Sequence, residues 1–117
     1  MWESGLSGWH PDWRPGGEQR ARTPELLDLL GRRVVGTWIV WDPEDDEWFA
    51  DAPVLIGFDD GRRLEICWQK FDDLSLTWDT VDLDVTPVAY ERELTWRQGG
   101  HPVLAALHGA TVTALAW

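Results

Sequence analysis

Hydrophobic and polar residues alternate most regularly between residues 53 and 68, and this pattern predicts a β-hairpin. A two-residue turn at Asp60-Gly61 would place Phe58 opposite Arg63 and mix apolar and charged side chains on one face. A three-residue loop, Asp59–Gly61, closed by a left-handed glycine avoids this mixing. It sets two groups of residues opposite each other: Val54, Ile56 and Phe58 against Ile66, Leu64 and Arg62. Because a one-residue slip moves every side chain to the other face, the pattern favours the three-residue loop.

Three further segments have strand patterns. Residues 33–41 are apolar on both parities, which is typical of a strand covered on both faces. Residues 74–78 alternate between apolar and polar, and the alternation changes parity at Asp79-Thr80, which indicates a bulge or a break. A strand with one apolar face is predicted from Pro87 to Arg97, and Arg92 interrupts that apolar face.

Two short helices are predicted, each leading directly into a strand. The first begins at Thr23-Pro24-Glu25, where a hydroxyl cap, a proline at the first helical position and an acid in the first turn are all favourable, and it ends at Gly31. The pattern Pro-x-Leu-x-x-Leu-x-Gly-x-x-Val fills residues 24–34 and recurs at 102–112. Independent use of the same helix-ending chemistry would also explain the match. If it is structural, the two strands that follow are expected to lie near each other.

These elements predict an α+β fold that is mostly β, with the two short helices and a single antiparallel sheet. The sheet is expected to be a meander, either open or strongly curved. We expect residues 23–117 to form one β-rich domain, long enough for a core without disulfides or metal. Residues 1–22 combine glycine and proline with Trp2, Trp9 and Trp13 and have no period, which predicts an irregular, Trp-bearing N-terminal arm. Its tryptophans either fold back onto the domain or anchor a partner.

The net charge is −11, from 21 acidic and 10 basic residues. This charge argues against direct binding to nucleic acid or to anionic membranes and favours a basic protein partner. The alternative is that it keeps a chain with ten tryptophans soluble. No apolar run approaches the ~18 residues that span a bilayer, and no signal-peptide core is present, so we expect neither anchor nor signal peptide. The single cysteine, Cys67, fits a reducing compartment and predicts a cytoplasmic location.

The candidate catalytic residue types do not combine into a recognisable site. His10, His101 and His108 lack metal-ligand spacing, and Cys67 lies in the middle of a predicted strand of an acidic protein, where nothing activates a thiol. No glycine-rich phosphate loop and no Gly-x-Ser-x-Gly motif occurs. We therefore expect no enzymatic activity, no metal and no cofactor.

The acidic turn between two tryptophans is the strongest candidate for a binding surface. Carboxylates there would steer a basic partner, and the tryptophans would anchor it. A solvated turn without function and a Ca²⁺ site are the alternatives, and the EF-hand spacing is missing. The candidate partner surface consists of Trp41, Asp42, Glu44, Asp45, Asp46, Glu47 and Trp48, together with Trp9 and Trp13 of the arm.

These observations favour a small acidic binding protein that neutralises or regulates a basic protein partner, as immunity proteins and antitoxins do. A second hypothesis is a structural or scaffolding subunit, or a homodimer formed through an exposed sheet edge or the arm. A third is a carbohydrate-binding or small-ligand-binding module with a tryptophan platform.

Overall fold

A computed structural model of the chain describes residues 6–15, 26–49, 52–69 and 73–112. The elements are β1 (Trp13–Pro15), β2 (Val34–Asp42), β3 (Glu47–Trp48), β4 (Val54–Phe58), β5 (Arg63–Gln69), β6 (Asp73–Trp78), β7 (Val88–Ala89), β8 (Arg92–Glu93), β9 (Thr95–Gln98) and the helix α1 (Pro102–Ala105). Within the described residues, seven strands form an antiparallel sheet in the order β1-β6-β5-β4-β2-β3, with β9 also paired to β2, and β7 and β8 form a separate two-stranded sheet. The prediction of a mostly β domain with an antiparallel sheet is confirmed.

The β4–β5 hairpin has the predicted register. Val54 pairs with Ile66, and Ile56 pairs with Leu64. The amide of Phe58 donates to the carbonyl of Arg62 at 2.9 Å, and Gly61 has φ 89°, so the loop has three residues and closes through a left-handed glycine.

Both faces of the sheet are covered, which explains why β2 is apolar on both parities. We call the face that carries Ile56 and Leu64 the back face and the face that carries Leu55 and Glu65 the front face. The buried back-face cluster is Leu29, Val34, Phe58, Leu64 and Leu76. The buried front-face cluster is Leu6, Trp9, Val40, Ala52, Leu55, Cys67, Val81, Ala89 and Leu94. Residues 79–94, which supply three members of the front-face cluster, are called the covering segment below.

A buried carboxylate fixes the start of the covering segment. Glu65 is fully buried and pairs across β5 and β6 with Thr77, whose hydroxyl donates to it at 2.6 Å. The amides of Thr80 and Val81 donate to the other carboxylate oxygen at 3.0 and 2.7 Å, and the Thr80 hydroxyl also donates to Glu65. The chain that leaves β6 is therefore tied to β5 through one side chain.

The two segments that match in sequence lie side by side. Arg33 and Thr111 form an antiparallel bridge, and they are equivalent positions of the match. On either side of it, Gly31 donates to Val112 and Gly109 donates to Val34, both at 2.8 Å, and the two glycines have φ 84° and 83°. The backbone hydrogen bonds inside each segment also match at this offset. The amide of Leu29 donates to the carbonyl of Leu26, as Leu107 does to Leu104. The amide of Arg32 donates to the carbonyl of Leu29, as Ala110 does to Leu107. The expected proximity is confirmed, and the two segments are related by a local pseudo-two-fold axis.

Two features differ from the expected architecture. The predicted strand from Pro87 to Arg97 is broken, because Tyr90 and Glu91 adopt left-handed conformations (φ 52° and 63°) and turn the chain back as the β7–β8 hairpin. This hairpin is a second sheet where a single sheet was expected. Of the two predicted helices, the described residues contain α1 alone as a defined helix. Residues 23–25, where the other was expected to begin, lie outside the described residues; residues 26 and 27 are helical, and a turn runs from residue 28 to Gly31.

Part of the predicted arm belongs to the β-rich unit. Leu6 and Trp9 are buried in the front-face cluster, and Trp13–Pro15 pair with β6 as β1. Residues 1–5 and 16–22 lie outside the described residues, so the division at residue 22 stays a prediction. In the described part of the chain, no helix is long and apolar enough to cross a membrane.

Candidate functional site

The acidic turn joins β2 to β3, and its first residue sets its shape. Asp42 is buried, and its Oδ1 accepts the amides of Glu44 at 3.0 Å and Asp45 at 3.3 Å. This is the local bonding by which an aspartate stabilises a turn. Asp46 has φ 54°, a left-handed conformation that aspartate tolerates better than most residues. Pro43–Glu47 are all exposed, so the turn holds its carboxylates out into solvent.

Arg92 ties the turn to the β7–β8 hairpin. One guanidinium nitrogen, Nη2, lies 2.8 Å from Asp42 Oδ2, 3.2 Å from Glu44 Oε2 and 3.4 Å from Asp45 Oδ2. Burial lowers the pKa of Arg92, but the three carboxylates outweigh it and raise that pKa above its usual value. Arg92 was not among the predicted site residues. In the sequence, Arg92 stood out only because it interrupts an apolar face. Its contacts with the acidic turn are visible only once the fold brings the turn and the β7–β8 hairpin together.

The turn remains strongly negative beside Arg92. Residues 42–47 carry five carboxylates against this one guanidinium, which leaves a balance of four negative charges. The side chains of Glu44 and Asp45 are 77% and 54% exposed even though both contact Arg92. The turn therefore presents accessible carboxylates at this end of the sheet.

Trp48 is the exposed aromatic residue next to the turn. It is 37% exposed, and its ring meets the imidazole of His101 edge-on at 5.1 Å between centroids. His101 is itself held in place, because its Nδ1 accepts the amide of Val103 at 3.3 Å and caps α1. Trp48 follows Glu47 directly and pairs with Trp41 across the β2–β3 ladder. Trp48 is thus an exposed aromatic ring directly beside the acidic turn.

Trp41 is half-buried and lies next to Trp48 in the β2–β3 ladder. The guanidinium carbon of Arg97 lies 3.9 Å from the centroid of the Trp41 ring, a close cation–π contact. In the β2–β9 ladder, Arg97 pairs with Ile39, and Trp41 pairs with Thr95 two residues further along each strand. The contact between Arg97 and Trp41 is therefore a diagonal cross-strand contact on the back face. One side of the Trp41 ring is thus occupied within the protein.

The two arm tryptophans do not join this surface as a pair. Trp9 is 3% exposed and packs in the front-face cluster, which matches the alternative in which arm tryptophans fold back onto the domain. The backbone of Trp13 pairs with Ser75 in the β1–β6 ladder. The side chain of Trp13 is outside the described part of the structure.

No group of three or more histidine, cysteine, aspartate or glutamate side chains in the described residues is placed to hold a metal ion. Comparisons of the chain with protein-family models, with curated proteins and with solved structures found no significant match.

Proposed function

We propose that this protein is a small, non-enzymatic binding protein that docks onto a basic protein partner through the acidic turn and Trp48. The observation that carries the proposal is an exposed tryptophan held directly beside a pre-shaped, exposed acidic turn. Carboxylates steer an oppositely charged partner at long range, and tryptophan is enriched among the residues that dominate binding energy at contact.

The rigidity of the turn supports this role. Asp42 accepts the amides of Glu44 and Asp45, and Arg92 contacts the carboxylates of all three residues before any partner arrives. A pre-organised surface loses less conformational freedom on binding, so more of the contact energy remains as affinity. Covering a cationic surface in this way would neutralise a basic effector, as an immunity protein or antitoxin does. A reducing cytoplasm suits its single, buried cysteine.

The two other hypotheses have less support. A tryptophan platform for a sugar needs an open ring face, and Arg97 occupies one face of Trp41. A homodimer would bring together two chains that each carry a net charge of −11.

Matched charge variants test the proposal. Asp46→Asn with Glu47→Gln neutralises two exposed carboxylates of the turn, and Asp28→Asn with Asp59→Asn neutralises two exposed carboxylates elsewhere. Trp48→Ala removes the anchor. The immobilised protein would be used to capture basic proteins from the native host, and the dissociation constant of each purified complex would be measured by calorimetry.

We expect the turn variant to weaken binding about 5- to 30-fold, from roughly 0.5–1 kcal/mol for each exposed charge. Trp48→Ala should weaken binding by about 30-fold or more, and the Asp28/Asp59 variant should stay close to wild type. A partner that binds all four proteins equally, or the absence of any basic partner, would contradict the proposed function.

A further inference from the structure

The outer edge of β9 carries backbone groups that no described strand pairs, and one of them, the carbonyl of Trp96, accepts the Thr95 hydroxyl at 3.5 Å. Gly99 donates its amide to the carbonyl of Thr37 at 2.8 Å, which makes these two residues a hydrogen-bonded pair of the β2–β9 ladder. Because bonding alternates along antiparallel strands, Gln98 and Trp96 direct their amides and carbonyls away from β2. Val40, the partner of Trp96, agrees with this geometry, since its carbonyl faces β3 and accepts the amide of Phe49. Within the described residues, no strand pairs with the outer edge of β9.

A cavity lies beside this edge. The amide of Leu94 donates to the carbonyl of Pro87 at 2.8 Å, and residues 83–86, which precede Pro87, face Trp96 across a gap. The gap is a cavity of about 130 Å³ whose surface is more polar than apolar, and its lining includes Asp84, Thr86, Thr95 and Trp96. A lysine or arginine side chain would suit it, because the cationic end would meet the carboxylate of Asp84.

We propose that an extended segment of the basic partner adds a strand to the outer edge of β9 and places a lysine or arginine side chain in this cavity. The inference rests on the proposed function and names the way in which the partner binds. Main-chain bonds to Trp96 and Gln98 supply affinity that is independent of sequence, and the cavity selects the side chain, as in other cases of strand addition.

Charge decides in favour of a basic segment. Glu91 and Glu93 are exposed just before β9, and Thr95 pairs with Trp41, which directly precedes the acidic turn. A segment that runs along β9 therefore has carboxylates at one end and Asp84 at its side, and the one cation on β9, Arg97, is held over the Trp41 ring on the back face. A second copy of this chain would bring the same negative charges against them, so strand pairing between two copies is disfavoured.

A synthetic peptide tests the backbone contact directly. The probe is acetyl-Thr-Val-Arg-Val-Arg-Val-Thr-amide, and the readout is amide hydrogen exchange of the full chain by NMR. At saturating peptide, exchange at Trp96 and Gln98 should slow by about tenfold or more. A peptide of equal charge with alternate backbone nitrogens methylated should not produce this protection, nor should the peptide with glutamate in place of arginine. Equal protection by the methylated peptide, or no protection by the probe, overturns the inference.

Two matched pairs of variants separate this inference from the proposed function. Gln98→Pro deletes the outward amide, and Gln98→Ala keeps it. Asp84→Asn removes the cavity carboxylate, and Asp59→Asn removes an exposed carboxylate in the β4–β5 loop, away from the cavity. We expect Gln98→Pro and Asp84→Asn to weaken binding of the probe peptide at least fivefold, and we expect the two control variants to change its affinity little. A partner that depends on the acidic turn and Trp48 but binds Gln98→Pro normally would overturn strand addition and leave the proposed function standing.

Discussion

Removing the buried carboxylate of Glu65 should destabilise the protein far more than removing an exposed acid. Glu65 is fully buried on the front face and accepts bonds from the hydroxyl of Thr77 and from the amides of Thr80 and Val81. In Glu65→Ala the two amides lose their acceptor in a site that water enters poorly, and the deleted side chain leaves a cavity.

The structure sets the expected size of the effect. A buried donor without a partner costs about 1–3 kcal/mol. Since two amides are affected and Thr80 is partly solvated, we expect Glu65→Ala to lower the free energy of unfolding by about 3–5 kcal/mol, a large share of a typical 5–15 kcal/mol. Glu65→Gln should cost about 1–2 kcal/mol, because its oxygen can still accept both amides while its NH₂ turns to the hydroxyls and the charge is lost.

Urea unfolding followed by tryptophan fluorescence measures these differences, with Glu93→Ala as the exposed control, expected within about 0.5 kcal/mol of wild type. If Glu65→Gln costs as much as Glu65→Ala, the bonds to the two amides are not the source of the stability. If Glu65→Ala behaves like Glu93→Ala, the account of the front face is wrong. Exchange at Thr80 and Val81 should accelerate first, because these amides lose their acceptor.

Two further predictions concern charged pairs at the ends of the sheet. Arg92→Gln should lower the melting temperature and speed amide exchange in the acidic turn, because Asp42, Glu44 and Asp45 lose their shared cation. The effect should be strongest at low salt. Arg33→Gln makes the same change in net charge and is the control; equal effects of the two variants would contradict the role of Arg92. The pKa of Asp60 is lowered, chiefly because the amide of Arg62 donates to it and despite an opposing effect of burial. The Asp60 carboxylate therefore stabilises the folded protein at pH values above its unfolded pKa of ~4. This stabilisation is lost as the pH falls through its lower pKa in the folded protein. The melting temperatures of Asp60→Asn and wild type should differ at pH 7 and converge in strong acid.

Local patterns predicted the parts of the fold that local bonding determines. The hairpin register followed from the alternation around Gly61, since only one register keeps Ile56 and Leu64 on the same face. The proximity of the two matching segments followed from their shared helix-ending glycines, and the bridge between Arg33 and Thr111 bears it out. The acidic turn was also placed correctly, because charge and proline cannot continue a buried strand.

The remaining features depend on contacts between distant parts of the chain. Glu65 lies on the polar parity of β5, and its burial comes from the covering segment, which the periodicity of β5 does not encode. The β7–β8 hairpin turns through Tyr90 and Glu91, residue types that carry no turn signal, so alternation predicted an unbroken strand. Arg92 contacts Asp42 from 50 positions away, and no spacing rule links them.

The covering segment joins the front-face cluster to the acidic turn. Glu65 fixes its beginning, and Arg92, near its end, fixes the acidic turn. Five carboxylates in one turn repel one another, and Arg92 contacts three of them, those of Asp42, Glu44 and Asp45. The two attachments differ, because Glu65 is fully buried whereas Arg92, Glu44 and Asp45 are partly exposed. Partly exposed ion pairs add little stability, so Arg92 is better explained as the means of holding the acidic turn in a single geometry. On this account, loosening the covering segment should weaken the proposed partner binding even where the protein remains folded.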